Sequence, residues 1–357
     1  MSISKRKSDH IKICLEKKVE TNKTGFDNIN FRDIDLVHRA LPEVNLKDID
    51  TGCIFLGKKL NAPIIISAMT GGTDEAEKIN KNIAEAAQSF GIAMGVGSQR
   101  AAIENPDLEK TYKVRNVAPD IFLVANLGII QFNEGYSINE AKKAIEMIDA
   151  DALALHLNPL QEVCQPEGDT NWGNCLKKIK ELCTKLDKPI IVKETGAGIS
   201  REVAVELKNT GISALDISGS GGTSWSLVEN YRNDNGMETF NNWGIPTAVS
   251  LIEVVNSVKI PVIASGGIRN GIDIAKALCL GAEIVGMALP FLKPATKSGK
   301  EVKKLLKKLT IELKTTMFLV GAKNIDELRK KPVVITGKTK EWLESRGVDI
   351  KKFSARK

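Results

Sequence analysis

The residues best suited to chemistry fall in four places. His156, Asn158, Gln161 and Glu162 stand together in HLNPLQE, where an apolar strand pattern turns polar. Lys193 closes a second apolar run, PIIVKET. Ser265, Gly266 and Gly267 follow Val262-Ile263-Ala264, and Ala288-Leu289 ends the next run, EIVGMALP. Arg6, Lys7 and His10 lie near the N-terminus. A glycine pair between a buried strand and a helix lets the backbone approach an anion, and amide N–H groups at a helix start can meet it. By itself that pattern is equally a tight strand–helix turn. Side chains alternate along a strand, so Ile191, Lys193 and Thr195 share one face, as do His156 and Asn158. An inward lysine requires an anionic or carbonyl-like partner, because an unpaired buried charge is costly. A neighbouring carboxylate in the fold would serve equally. His156 alone reads as a satisfied core histidine; Asn158 and Gln161 beside it favour a site. Glu162 alone is a weak metal signal, and Arg6-Lys7 alone reads as a solvated terminus.

Eight short apolar runs position these groups: 63–68 (PIIISA), 92–97 (IAMGVG), 121–127 (IFLVANL), 152–158 (ALALHLN), 189–195 (PIIVKET), 214–220 (ALDISGS), 261–267 and 283–288. Helical periodicity fills most gaps, over 74–90, 139–150, 175–186, 200–209 and 271–280. Ser200 is placed as an N-cap and Gly211 as a stop. Continuous rather than alternating apolar strands, each followed by a helix, predict a closed parallel sheet, the (β/α)8 or TIM barrel. In that architecture chemistry sits at the C-terminal strand ends, with a phosphate site after strands seven and eight. Those ends here carry Ser67, Met69, Thr70, Ser98, Arg100, Asn126, Ser218 and Thr223 besides the residues above. The barrel is expected over 61–322, with an N-terminal segment 1–60 and a C-terminal extension 323–357 that carries no further strand–helix unit. The insertion 223–244, with Trp225, Tyr231, Phe240 and Trp243, is expected on the functional rim as a lid or assembly surface.

Composition narrows the classes. In 357 residues, 42% hydrophobic and 27% charged content fits a globular chain rather than a disordered one. No apolar run is long enough to span a bilayer, and MSISKRKSDH lacks an apolar signal region. Six scattered cysteines without a CxxC pair read as reduced thiols in a cytoplasm. The net charge of +7 comes largely from lysines between 293 and 314 and in the tail 351–357. The first cluster lies on a helical pattern with inward leucines, so it reads as a solvated face. Without interleaved aromatics it does not read as a nucleic-acid surface.

Longer motifs carry a resemblance. RKSDHI (6–11), AMTGG (68–72), GSQR (97–100), ANLG (125–128), HLNPLQE (156–162), QPEGD (165–169), VKETGAGIS (192–200), SGSGGTSW (218–225) and ASGGIRNG (264–271) are similar to those of the type 2 isopentenyl-diphosphate isomerases, FMN-dependent barrel enzymes. The resemblance implies that Ala68, Met69, Thr70, Ser98 and Asn126 line the flavin, with Lys193 near its N1–O2 edge. It implies Ser218, Thr223, Gly266, Gly267, Ala288 and Leu289 around the ribityl phosphate. It places Arg6, Lys7, His10, Ser98, Arg100, Asn158 and Gln161 on an isopentenyl diphosphate, and Mg²⁺ between Glu162 and that diphosphate. Gln161, His156 and Lys193 become the catalytic candidates, for a proton move to dimethylallyl diphosphate that uses reduced FMN and needs NAD(P)H only to reduce it. A homo-oligomer, tetramer or octamer, is also implied. Two other flavin or nucleotide barrels fit less well. A 2-hydroxy-acid oxidase needs a histidine after strand six or seven, but the chain has only His10, His38 and His156; an IMP dehydrogenase relative needs a cysteine in the loop 219–224.

Overall fold

A computed structural model describes residues 3–21, 29–233 and 236–356. Parts of the expected N-terminal segment (1–2 and 22–28), of the rim insertion (234–235) and the last residue lie outside the described residues. Eight parallel strands close into a barrel in sequence order: β1 (Ile64–Ile66), β2 (Ala93–Gly95), β3 (Leu123–Gly128), β4 (Ala152–Leu157), β5 (Ile190–Glu194), β6 (Ala214–Asp216), β7 (Val262–Ser265) and β8 (Ile284–Met287). Most are shorter than their apolar runs. Several strands end where glycines or polar residues begin, as at Ser67, Asn158 and Gly266.

The helices follow the sequence closely. Asp74–Phe90 starts at Thr73, whose side chain accepts from the Ala76 N–H, and stops at Gly91 in the left-handed region. Ser200 caps Arg201–Lys208 by accepting from Val203 N–H. The lysine-rich helix Gly299–Leu319 buries Val302, Leu306, Leu309, Leu313 and Met317, which leaves its lysines on the outer side, as its periodicity requires.

The barrel interior holds Ile65, Ala93, Val124, Ala152, Ala154, Ile191, Ala214, Ile263 and Ile284. Its N-terminal mouth is plugged by an antiparallel hairpin, Cys53–Phe55 with Lys58–Leu60. Phe55 packs edge-on to Phe122 at 5.5 Å between centroids. Phe55 and Leu60 of the hairpin thus close this end of the barrel with buried apolar side chains.

One expectation is corrected. The extension after residue 323 does contain a strand, Val333–Ile335, which pairs antiparallel with Ile34–Leu36. The two extensions therefore share one small sheet outside the barrel. Arg346 and Trp342 fasten the extension to the buried Glu253 carboxylate at 3.0 and 3.2 Å. The N-terminal helix Ile3–Glu16 is not a solvated tail either. It packs on Trp225–Arg232, the helix of the rim insertion, which in turn packs on Pro159–Cys164.

Candidate active site

All of the candidate residues drawn from the sequence line a single cavity at the C-terminal ends of the strands. Its volume is about 250 Å³.

Strand register places three titratable groups in one layer of the wall. His156 on β4 is beside Lys193 on β5, and Lys193 is beside Asp216 on β6. His156 Nδ1 lies 2.8 Å from Asn126 Oδ1, while Asn126 Nδ2 donates to the Val96 carbonyl. The amide is thereby oriented, so Nδ1 carries the proton and Nε2 is left as an acceptor. Burial, with the positive charges of Lys193 and Lys7, pushes the imidazole down to about 3, so it is neutral in use. Lys193 Nζ donates to the Glu194 carbonyl at 2.8 Å. Asp216 is buried, accepts from Ser265 Oγ, and is raised by its burial against the opposing pull of Lys193. A carboxylate thus stands on the strand beside the inward lysine, while the ammonium's hydrogen bond goes to the Glu194 carbonyl and Lys193 still lines the cavity.

The N-terminal helix brings Arg6, Lys7 and His10 to the mouth. His10 Nε2 lies 2.8 Å from Glu229 Oε1 and packs edge-on to Trp225 at 5.2 Å. Glu229 also accepts from Arg232 at 2.6 Å and from Gln161 at 3.3 Å. Burial works to raise this carboxyl, but His10 and Arg232 together hold it below its ordinary value. Arg100 already donates to Glu104 at 2.8 Å and Asp169 at 3.2 Å, so its guanidinium reaches the cavity wall ion-paired. Glu162 accepts from Asn158 at 2.8 Å and from the Asp169 N–H at 2.9 Å.

Across the cavity, the loops after β6 and β7 are stacked through glycines. A Cβ on Gly266, at φ +102°, would meet the Gly219 carbonyl at 2.1 Å, and one on Gly222 would meet Gly267 N at 2.8 Å. Only glycine permits this approach. Ser67 Oγ, Gln131 Oε1, Asn158 Oδ1 and Gln165 Oε1 are buried, line the cavity and have no hydrogen-bond partner among the described residues. Unmatched polar atoms of that kind cost free energy until a ligand meets them. A glycine cradle at one end and unmatched amide and hydroxyl groups at the other fit a flavin mononucleotide. The fit to a metal is thinner: no group of three or more His, Cys, Asp or Glu is placed to hold an ion among the described residues.

Sequence reasoning missed Asp216, Glu229, Gln131 and the cavity-lining role of Trp225. Asp216 had a signal, since it faces inward from an apolar strand as Lys193 does. Glu229 had none, because the residues that bring it to the site, Gln161 and His10, lie 68 and 219 residues away.

Comparison with known proteins agrees with this geometry. The family described as FMN-dependent dehydrogenase matches residues 5–113 and 141–335. An isopentenyl-diphosphate delta-isomerase of Methanothermobacter thermautotrophicus is 51% identical over 358 residues, covering 99% of both chains. Another, of Pyrococcus furiosus, is 50% identical over 98% of this chain and 90% of its own length. Among solved structures, an (S)-mandelate dehydrogenase superposes with a TM-score of 0.67 at 18% identity, covering 92% of this chain and 99% of that one. A lactate oxidase of Pediococcus acidilactici gives 0.66 at 16%, covering 94% of this chain and 93% of that one. At such identities the two structures share the fold alone. Nearly full-length identity at half of all positions goes further: the chain belongs to the FMN-dependent dehydrogenase family and, within it, to the isopentenyl-diphosphate delta-isomerases of the flavin-dependent, type 2 kind.

Proposed function

We propose that this chain converts isopentenyl diphosphate to dimethylallyl diphosphate, shifting a double bond with no net redox change. One observation carries the reading. A neutral histidine, an amide pair and a carboxylate (His156, Asn158, Gln161 and Glu162) share with Arg6, Lys7 and His10 of the N-terminal helix a cavity that a glycine cradle also lines.

FMN would be held by Ala68, Met69, Thr70, Ser98, Asn126, Ser218, Thr223, Gly266, Gly267, Ala288 and Leu289, with Lys193 setting positive charge beside it. Bound in its reduced form, it would supply the acid–base group that gives a proton to the alkene terminus and takes one from the allylic carbon. The protein groups do the rest. Arg6, Lys7, His10, Ser98, Arg100 and Asn158 hold the diphosphate through charge-assisted hydrogen bonds. Gln161, tied to Glu229, orients the isoprenyl chain; an amide is a poor acid, so its role is placement. Neutral His156 presents Nε2 as an acceptor and adds no charge beside a carbocation-like alkene. The N-terminal helix and the helix Trp225–Arg232 wall the mouth against water. Glu162 supplies one hard oxygen donor, so Mg²⁺ would complete its shell with diphosphate oxygens and water. NAD(P)H would serve only to reduce the flavin.

We further propose a cytoplasmic homo-oligomer, tetramer or octamer. No helix is long and apolar enough to cross a membrane among the described residues. Trp243, Tyr231 and Val163 are exposed around the rim insertion, which suits an assembly surface.

The test is an anaerobic NMR assay with isopentenyl diphosphate, FMN, Mg²⁺ and a trace of NADPH. Many turnovers to dimethylallyl diphosphate per reductant are expected. Absence of product, with the bound flavin bleached by a 2-hydroxy acid, would replace the isomerase reading with an oxidoreductase. Wild-type kcat in Gln161→Ala would remove Gln161 from the mechanism.

A further inference from the structure

We propose that Tyr112 is a positioning residue for substrate binding: its phenol oxygen and the Ser98 carbonyl form a seat that holds the Lys7 ammonium at the cavity wall. The inference rests on the reading that Lys7 meets a diphosphate, and it extends that reading to a residue outside the cavity lining.

Lys7 is carried on the N-terminal helix, 105 residues from Tyr112 in sequence. Its Nζ donates to Tyr112 Oη at 2.6 Å and to the Ser98 carbonyl at 2.7 Å. Tyr112 Oη donates to the same carbonyl at 2.7 Å. The three atoms form a closed triangle. Because the phenol proton is committed to Ser98, the oxygen lone pairs are left to face the ammonium, and the donor–acceptor sense is fixed. An ammonium has three donors. Two are used by the seat, and the third is left for a ligand in the cavity that Lys7 lines.

The seat is tightly packed. Tyr112 is fully buried. Its ring lies so close to the AMTGG loop that a Cβ on Gly71 would stand 1.9 Å from Cε1. The neighbouring Thr111 accepts from the Gly72 N–H at 2.8 Å through its hydroxyl and from Asn80 at 2.9 Å through its carbonyl. Asn80 also donates to the Thr70 carbonyl. The wedge thus ties the loop after β1 to the loop after β2. A free lysine side chain carries rotamer entropy, and a seat that holds it removes that cost before the ligand arrives.

The electrostatic setting makes the seat consequential. Burial first, then Arg6 on the same helix, lowers Lys7 to about 7, with Glu104 pulling the other way. His156, across the cavity, is neutral and contributes no opposing charge. Neutral acceptors favour the charged form. Losing one lets the ammonium give up its proton at lower pH and leaves a poorer anion binder.

The experiment compares the full-length FMN-bound enzyme with Tyr112→Phe, Lys7→Met and the double variant. It measures isomerase KM and kcat, and calorimetric binding of inorganic diphosphate from pH 6 to 9. In Tyr112→Phe, diphosphate affinity is expected to fall about tenfold, about 1.4 kcal/mol. KM should rise in step, with kcat, flavin content and Tm held. The alkaline loss of affinity should begin at lower pH than in wild type. In the Lys7→Met background, Tyr112→Phe should change nothing further. Unchanged affinity in Tyr112→Phe overturns the proposal, as does an undiminished effect of Tyr112→Phe when Lys7 is already Met. Should Tyr112→Phe not fold, 2,3-difluorotyrosine at position 112 keeps the shape and weakens the acceptor, with the same expected direction. A wild-type enzyme that binds diphosphate but makes no product defeats the isomerase reading while leaving the seat testable by calorimetry.

Discussion

Glu229→Gln tests how the N-terminal helix is held over the cavity. The glutamate side chain is fully buried and receives His10 at 2.8 Å, Arg232 at 2.6 Å and Gln161 at 3.3 Å. Glutamine keeps the shape and removes the charge. A hydrogen bond to a charged group contributes about 1.5–3 kcal/mol and a neutral one about 0.5–1.5, so each short bond loses about 1 kcal/mol. The new amide must also turn its NH₂ toward one of these donors, and Arg232, itself buried, keeps its ion pair with Glu167 at 2.9 Å. The total is about 2–4 kcal/mol. We assign about 1–2 kcal/mol of it to docking of the N-terminal helix through His10, the remainder to global stability. Since Arg6, Lys7 and His10 ride on that helix, KM for the diphosphate should rise about 5- to 30-fold. The assay is steady-state kinetics paired with amide hydrogen exchange over residues 3–16, which should lose protection. A KM within twofold of wild type, with unchanged exchange in that helix, would refute the reasoning.

Other outcomes follow from the same geometry. Gly266→Ala places a side chain at φ +102° and against the Gly219 carbonyl, a strain of about 1–3 kcal/mol before the clash is counted. The protein should fold but purify without yellow colour, and a wild-type ratio of flavin to protein absorbance contradicts this. With its imidazole pushed down to about 3, His156 does not titrate between pH 5 and 9. Any acid limb of kcat in that range should therefore persist in His156→Gln, and its disappearance would show that His156 does titrate there. Arg346→Met leaves the buried Glu253 with Trp342 as its remaining side-chain partner within the extension. Because the guanidinium is about a third exposed, the cost should be about 1–2 kcal/mol rather than the 3–5 of a fully buried pair. It should appear as a Tm lower by a few degrees and as earlier proteolysis after residue 323, while an unchanged melt would mean that water replaces the pair.

The barrel was legible in the sequence because its strands are buried on both faces. Such strands read as continuous apolar runs, and several end at a glycine or polar residue, as at Ser67, Asn158 and Gly266. The helices were legible from caps and periodicity, which act over a few residues, as at Thr73 and Ser200. Glycine at 266 and 267 marked the cradle for the same local reason: only a residue without Cβ can make that turn. The cationic segment at residues 6–10 was legible only through its motif, since composition alone reads it as solvent-exposed.

What the tertiary structure decided is which charges meet. Lys7 with Tyr112, His10 with Glu229, and strand 34–36 with 333–335 join parts of the chain separated by 105 to about 300 residues. No periodicity encodes such pairs, because any buried carboxylate or phenol satisfies the local rules equally. Lys193 shows the division most clearly. The sequence requires a partner for an inward lysine, but only the β5–β6 register selects Asp216 and leaves the ammonium facing the cavity. Closure of the barrel sets that register, and with it the polar layer in which the chemistry is placed.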